Sequence, residues 1–369
     1  MQGEAERVAR CWNGLAFAAS GCFGGFHWGE DSSPTDTQPG TTEVCEPTVS
    51  DSGAGSLPAR PAGPPPSGSE SLVFAISKIY YGDSDRSGTP SLCAWTAYGL
   101  NIDGKTSDAR STDVCALVPG SSQQPQVDGQ NGIDNSFGAN VLPVIQTVEL
   151  HPLASDDTAI AHGAPTMLVR VDQLGAGPTY TSIPGAVVRA TASEGAPRWD
   201  GSDVRSVNAA SWGDDAGTPL LAFPGGYLTQ RTWVGAPPSG SGLLDLNLEL
   251  LSLPTPLPIT HLRVSMTLAP PDATASGVLS GVIPTTGMVA WMKTQAGFVS
   301  TSLCSGSAFE AIALQLEQMS DIMVDGTSEP GQVCDGISLG IGFDAVAVHV
   351  GPSVVVPGVP DPCGDAGGD

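Results

Sequence analysis

Apolar and polar residues alternate in short runs along most of the chain, and glycine, proline or aspartate closes each run. "SLVFAISKIYYG" (71–82), "TMLVRVDQL" (166–174), "GAVVRATAS" (185–193), "YLTQRTWVG" (227–235), "LLDLNLELLSL" (243–253) and "THLRVSMTLA" (260–269) carry the period of two expected of β-strands. In "DLNLELLSL", Leu246, Leu248 and Leu250 fall on one face, with Asn247, Glu249 and Leu251 on the other. Near the end the period changes. "PTTGMVAWMKTQAG" (284–297) opens on proline, closes on glycine and sets Met288, Trp291 and Met292 on one helical face. "SAFEAIALQLEQMSDIM" (307–323) has Ser307 as N-cap with Glu310 three residues on, a capping box, and an apolar stripe of Phe309, Ile312, Ala313, Leu316, Met319 and Met323. "GISLGIGFDAVAVHVG" then returns to strand. Successive short strands without intervening helices predict a mainly β fold, an antiparallel β-sandwich, jelly-roll-like, with two short helices near its C-terminal end. No internal repeat at a fixed period is present.

Composition adds a compartment. Of 369 residues, 47 are Gly and 32 Pro, as turn-rich β proteins require. Lys and Arg number 14 against 38 Asp and Glu, a formal charge of −24, which repels nucleic acid and anionic lipid and attracts divalent cations. The eight cysteines form no C-x-x-C pair and no zinc-like spacing with histidine, so they read as disulfides of an oxidising compartment. Residues 1–28 read as a signal-like segment: Arg7, Arg10, a short apolar run, then Ala19-Ser20-Gly21-Cys22, which matches a lipobox with Cys22 as the lipidated residue. Contact with a membrane is expected only through that anchor, because no run reaches the roughly 20 apolar residues of a span. Residues 29–70, with "PARPAGPPPSGSES", read as a disordered stalk, 71–363 as one domain and 364–369 as a tail. Setting Cys11 and Cys22 aside, local closure favours Cys93–Cys115 and Cys304–Cys334, leaving Cys45 to join Cys363.

Candidate chemistry lies in acidic loops. In "DSDRSG" (83–88), Asp83, Asp85 and Ser87 precede Gly88 as in the first half of a calcium loop, but the twelfth position is Ala94 rather than a bidentate glutamate. Further oxygen ligands for Ca2+ would come from Asp103 and from Asp128, Asn131, Asp134 and Asn135 in "DGQNGIDNSFG" (128–138). The same residue types also build ordinary turns. "PRWDGSDVRSV" sets Trp199 beside Asp200 and Asp203, a pattern that stacks on a sugar ring or wedges a tryptophan into a sheet edge; Trp212 and Trp233 could complete an aromatic platform. "GISLG" (336–340) fits G-x-S-x-G, yet the following residues alternate as a strand where a nucleophile elbow needs a helix. The five histidines form no metal motif, and no strand-borne acidic triplet marks a glycosidase.

"YYGDSDRSGTPSLCAWTAYGLNIDGKTS", "DGQNGIDNSFGANVLP", "PRWDGSDV" and "SDIMVDGTSEPGQVCDGISLGIGFDA", with the lipobox-like start, resemble a group of uncharacterised exported, lipoprotein-like proteins of myxobacteria, over roughly residues 72 to 363. That resemblance implies export and one folded unit. The group carries no assigned activity, so it transfers no functional residue. The expectation is an exported cell-surface or secreted binding module, calcium-stabilised and contacting a glycan or another envelope component. A secreted glycoside hydrolase or lyase using paired carboxylates is one alternative, and a structural envelope protein without catalytic activity is another.

Overall fold

The alternating segments become strands, and nearly all of them join one sheet. The computed structural model describes residues 45, 55–63, 68–147, 153–212, 218–235, 246–248 and 257–364. In chain order the elements are β1 (Glu70–Tyr80), α1 (Leu142–Thr147), α2 (Leu153–Ala161), β2 (Met167–Leu174), β3 (Gly185–Arg189), β4 (Val204–Asn208), β5 (Leu221–Phe223), β6 (Tyr227–Thr229), β7 (Thr232–Gly235), β8 (Leu246–Leu248), β9 (Leu257–Ala269), β10 (Thr274–Pro284), α3 (Thr285–Val299), α4 (Ser307–Glu317), β11 (Gly336–Ala347) and β12 (His349–Val354). The segments read as signal and lipobox, with Cys11 and Cys22, lie outside the described residues, as do Glu249 and the end of the tail.

The fold is mainly β, but the two face-to-face sheets of a sandwich are replaced by a single curled antiparallel sheet, a half-barrel, in the order β5-β3-β2-β1-β11-β10-β9-β7-β6, with β8 paired to β9. The second layer is helical. On one face, strand residues such as Phe74, Val169, Val264, Leu339 and Phe343 pack against Phe137, Leu142, Ile145, Met288, Trp291, Phe309 and Leu316 in one large core. Because alternate residues of β1, β2 and β3 point the other way, Val73, Ala75, Leu168 and Val188 form a smaller core beyond the sheet with Val207 and Val348. The short parallel pair β4–β12 adjoins that smaller core.

Three local departures from the expected pattern have physical causes. The run 227–235 is a hairpin rather than one strand, because Gln230 and Arg231 both take left-handed backbone (φ 48° and 67°) and fold β6 onto β7. In β9, His261 (φ 52°) and Leu262 together oppose the single residue Gly281, so core-facing positions move from Leu257 and Ile259 to Leu262, Val264 and Met266. Helix α3 runs through Gly297 instead of ending there. A Cβ at that position would lie 2.5 Å from Cys363 Sγ and 3.0 Å from Cys304 Sγ, so the glycine makes room for a disulfide. At α4 the N-cap is Gly306, and Ser307 is the first helical residue with no capping bond from a side chain.

The pairing is Cys45–Cys93, Cys115–Cys334 and Cys304–Cys363, which corrects all three expected pairs while using the same six residues. Closure of the nearest loops fails as a guide because packing, not sequence distance, brings the sulfurs together. Cys115 sits in a loop laid beside the segment entering β11, where the Cys334 amide donates to the Ala116 carbonyl and the Ala116 amide donates to the Gln332 carbonyl. The composition of 55–63 suggests a free stalk, yet this segment lies along the domain. Gly55 bridges Leu100, and the Arg60 guanidinium donates to the carbonyls of Thr181 (2.7 Å) and Gly225 (2.5 Å) and lies over the Tyr227 ring.

Non-reduced peptide mapping should return 45–93, 115–334 and 304–363; a Cys93–Cys115 peptide would contradict the packing just described. Replacing Cys115 and Cys334 together by Ser removes the link that spans 219 residues and should cost about 3–5 kcal/mol in denaturant unfolding, more than loss of Cys45–Cys93.

Candidate functional site: a buried acidic loop cluster

Strand β11 alternates small and large side chains. Ile337, Leu339, Ile341 and Phe343 enter the large core, while Gly336, Ser338, Gly340 and Gly342 line the opposite face. That face is low enough for a loop to lie directly on it. A Cβ at Gly340 would come within 2.2 Å of the Tyr98 carbonyl oxygen, so the backbone at 98–99 rests against the strand. Beyond the end of β1, Asn135 binds the edge of β11. Its Nδ2 donates to the carbonyls of Gly340 (3.1 Å), Tyr98 (3.0 Å) and Trp95 (3.2 Å), and its Oδ1 accepts from the amides of Gly340 and Gly138, both at 3.0 Å. Next to it the Ser136 amide donates to Ser338 Oγ at 2.8 Å, and that hydroxyl donates to Asp321 Oδ2. "GISLG" runs on as a strand, as the alternation after it implied, and its Ser338 is hydrogen-bonded beneath a loop.

Of the residues expected to bind metal, Asp103, Asp128 and Asp134 come together, and Asp321 joins them from the segment before β11. Asp134 Oδ2 accepts the amides of Ile102 (2.6 Å) and Asp103 (3.3 Å). Asp128 accepts the Ser107 amide and hydroxyl, the latter at 2.9 Å. Asp321 Oδ1 accepts the Ser338 amide at 2.8 Å, and Asp103 Oδ1 the Lys105 amide at 2.8 Å. Burial penalises the charged carboxylates and outweighs these bonds. It pushes Asp128 up to about 7 and Asp321 up to about 8, and lifts Asp134 well above the ordinary range, with repulsion from Asp128, Asp103 and Asp321 adding to the effect. Two cations face the group: Arg263 of β9 beside Asp134, and Lys105 beside Asp103. Four carboxylates against two cations leave an excess of negative charge that protons or a bound cation would offset.

The other predicted residues lie elsewhere. Asp85 Oδ1 accepts from the Ser87 amide (2.8 Å), the Ser87 hydroxyl (2.6 Å) and the Thr89 amide (3.0 Å), which makes "DSDRSG" a closed turn that holds Asp85 below its usual range. The turn carries its own cation. Arg86 pairs with Asp344 at 2.9 Å and lies over the rings of Tyr80 and Tyr98. Asp83 belongs to this turn and not to the cluster, and Asn131 (φ 54°) sits at the bend before Gly132. Among the described residues, no three His, Cys, Asp or Glu side chains converge as metal ligands.

Trp199 (φ 55°) donates its amide to Asp203 Oδ2 at 2.7 Å and packs with Trp212 against the smaller core, while Asp200 closes a turn on Ser202. Trp233 is buried in the large core on the other face of the sheet, its Nε1 donating to Ile183 O at 2.9 Å. The three tryptophans therefore form no common platform.

No family model matches the chain, and neither a curated protein nor a solved structure matches it. Among the described residues no helix is long and apolar enough to cross a membrane.

Asn135→Ala removes five hydrogen bonds and leaves the Gly340 amide buried without its acceptor, so it should cost about 3 kcal/mol or more in chemical denaturation. Asp85→Ala, in an exposed turn, should shift the denaturation midpoint far less than Asn135→Ala does. The acids also set a pH dependence. Their folded pKa values lie above those of the unfolded chain, so the native state holds protons that the unfolded state releases. The associated stability is complete below the ordinary carboxylate range and is lost as pH rises through about 7 to 8. Midpoints should therefore fall between about pH 5.5 and about pH 8.5, and Asp134→Asn with Asp321→Asn should flatten the slope. A midpoint that climbs across that interval would contradict the electrostatics.

Proposed function

We propose that this is an exported binding domain, secreted or displayed at the cell surface, that contacts a glycan or another envelope component and is stabilised by calcium at its acidic loops. Its three disulfides point to an oxidising, extracytoplasmic environment. One observation carries the binding reading: the carboxylates with chemistry to offer are engaged in holding loops. Asp128 holds Ser107, Asp134 holds Ile102 and Asp103, Asp321 holds Ser338, and Asp203 holds Arg198 and Trp199. A general acid needs a free oxygen facing substrate, whereas these acids rigidify the surface that carries them. The chain's charge of −24 makes a divalent ion the natural bridge to an anionic envelope polymer. Within the cluster, calcium would offset the excess that Arg263 and Lys105 leave. Lipidation at Cys22 would supply surface attachment.

Calcium should raise the melting temperature relative to EDTA at about pH 7.5, and Asp103→Asn with Asp134→Asn should abolish the rise, because a ligand of the native state stabilises by mass action. In the same buffers the full chain should co-sediment with isolated envelope polysaccharide and be released by EDTA. Equal melts would remove calcium from the proposal. Release of sugar fragments during the incubation would favour the hydrolase or lyase reading instead.

A further inference from the structure

The C-terminal segment after β11 is unlike the rest of the surface. β12 pairs in parallel with β4, and among the described residues no strand lies along its outer edge. The end of β12 and the segment after it, residues 352–360, are exposed throughout, and Val355 is 81% accessible. Val350, Val354, Val356 and Val359 are also exposed, and Val204, opposite His349 on β4, extends the apolar strip. The strip is held at both ends. β4 fixes its start, and the Cys304–Cys363 disulfide, seated at Gly297 of α3, fixes its finish. A loose tail needs no such staple, and exposed apolar surface held in place marks an interaction site.

We infer that this strap is the surface through which two copies of the chain associate, antiparallel about a two-fold axis. Three features select a second copy as the occupant. From Val350 to Pro360 the strap carries no charged side chain, in a chain of net charge −24, so like copies repel least where the straps meet. An extended segment laid antiparallel on its own image is self-complementary, as a two-fold interface requires. Pro352 and Pro357 lack amide donors and confine edge pairing to Ser353–Val356, so one partner uses up the edge and the assembly closes as a dimer rather than growing as a fibre. None of this depends on what the acidic loops bind.

Sedimentation equilibrium of the full chain, from about 1 to about 500 μM, should show a monomer–dimer equilibrium that tightens with added salt as like-charge repulsion is screened. Val355→Asp with Val356→Asp should weaken dimerisation at least about tenfold while leaving the melting temperature of the dilute monomer unchanged, because both side chains are exposed. Leu220→Asp, equally exposed but outside the strap, should leave the dimer intact. Amide exchange at Ser353–Val356 should slow as concentration rises. A wild type that stays monomeric throughout, or a double variant that dimerises as tightly as wild type, would overturn the inference. So would a dimer whose exchange at these amides is independent of concentration; the strap would then be left to another partner.

Discussion

The acidic loops on the outer side of the sheet depend on one close approach, that of the 98–136 loop to the small-residue face of β11. The contact needs Gly340 beneath Tyr98 and needs Asn135 to take the place of the missing neighbour strand where β1 stops pairing. An amide side chain suits that place because it offers a donor and an acceptor together, as a backbone does. It satisfies both polar groups of Gly340, which would otherwise be buried without partners. Once the loop is seated, Ser136 reaches Ser338, Ser338 reaches Asp321, and Cys115 lies beside Cys334. The disulfide therefore locks an arrangement that the hydrogen bonds define.

Seating the loop has an electrostatic cost. Asp128 and Asp134 are carried out of water together, and near neutral pH their ionised forms are opposed both by burial and by each other. Amides at Ile102, Asp103 and Ser107 favour the charge but do not outweigh desolvation. Such a cluster persists only because covalent and apolar terms elsewhere hold the loop down. Ile102 packs with Val282 and Ile322 on the same face, and the Cys115–Cys334 link limits how far the loop can open. Charge, more than packing, is then the variable that conditions can change.

Much of the sheet was legible in the sequence, because strands that bury one face alternate visibly. β1, β2, β3 and β9 fall where period-two runs predict them, and α3 and α4 where the period lengthens. β10 was not legible. Its "TASGVLSGVIP" drew no assignment from the pattern, and Gly277 and Gly281 are small because neighbouring atoms crowd them: a Cβ would meet Ser265 O at 2.3 Å and Ile259 Cγ2 at 2.5 Å respectively. In the acidic loops, residue type predicted location but not role. Asp103 and Asp128 lie near enough to raise Asp134 by repulsion, without meeting as metal ligands among the described residues, whereas Asp83 and Asp85 serve a turn of their own, and Asp321, far along the chain, carried no local signal. The disulfide pairs were illegible for the same reason, since they report which loops lie together in space.

"DGQNGIDNSFG" shows why polar, glycine-rich stretches are a poor guide to surface chemistry in this fold. Asp128, Asp134, Asn135 and Ser136 are all buried, and Phe137, next to the segment's end, lies in the large core. Its hydrophilic character answers the polar backbone of β11 and of its own turns, not solvent or substrate. The C-terminal strap inverts this relation: valines that composition would assign to a core stand in water, fixed at both ends. At these two places the fold buries carboxylates and displays valines, the reverse of the usual roles of the two classes. What it presents to a partner is therefore better sought in where the chain is held than in which residues look reactive.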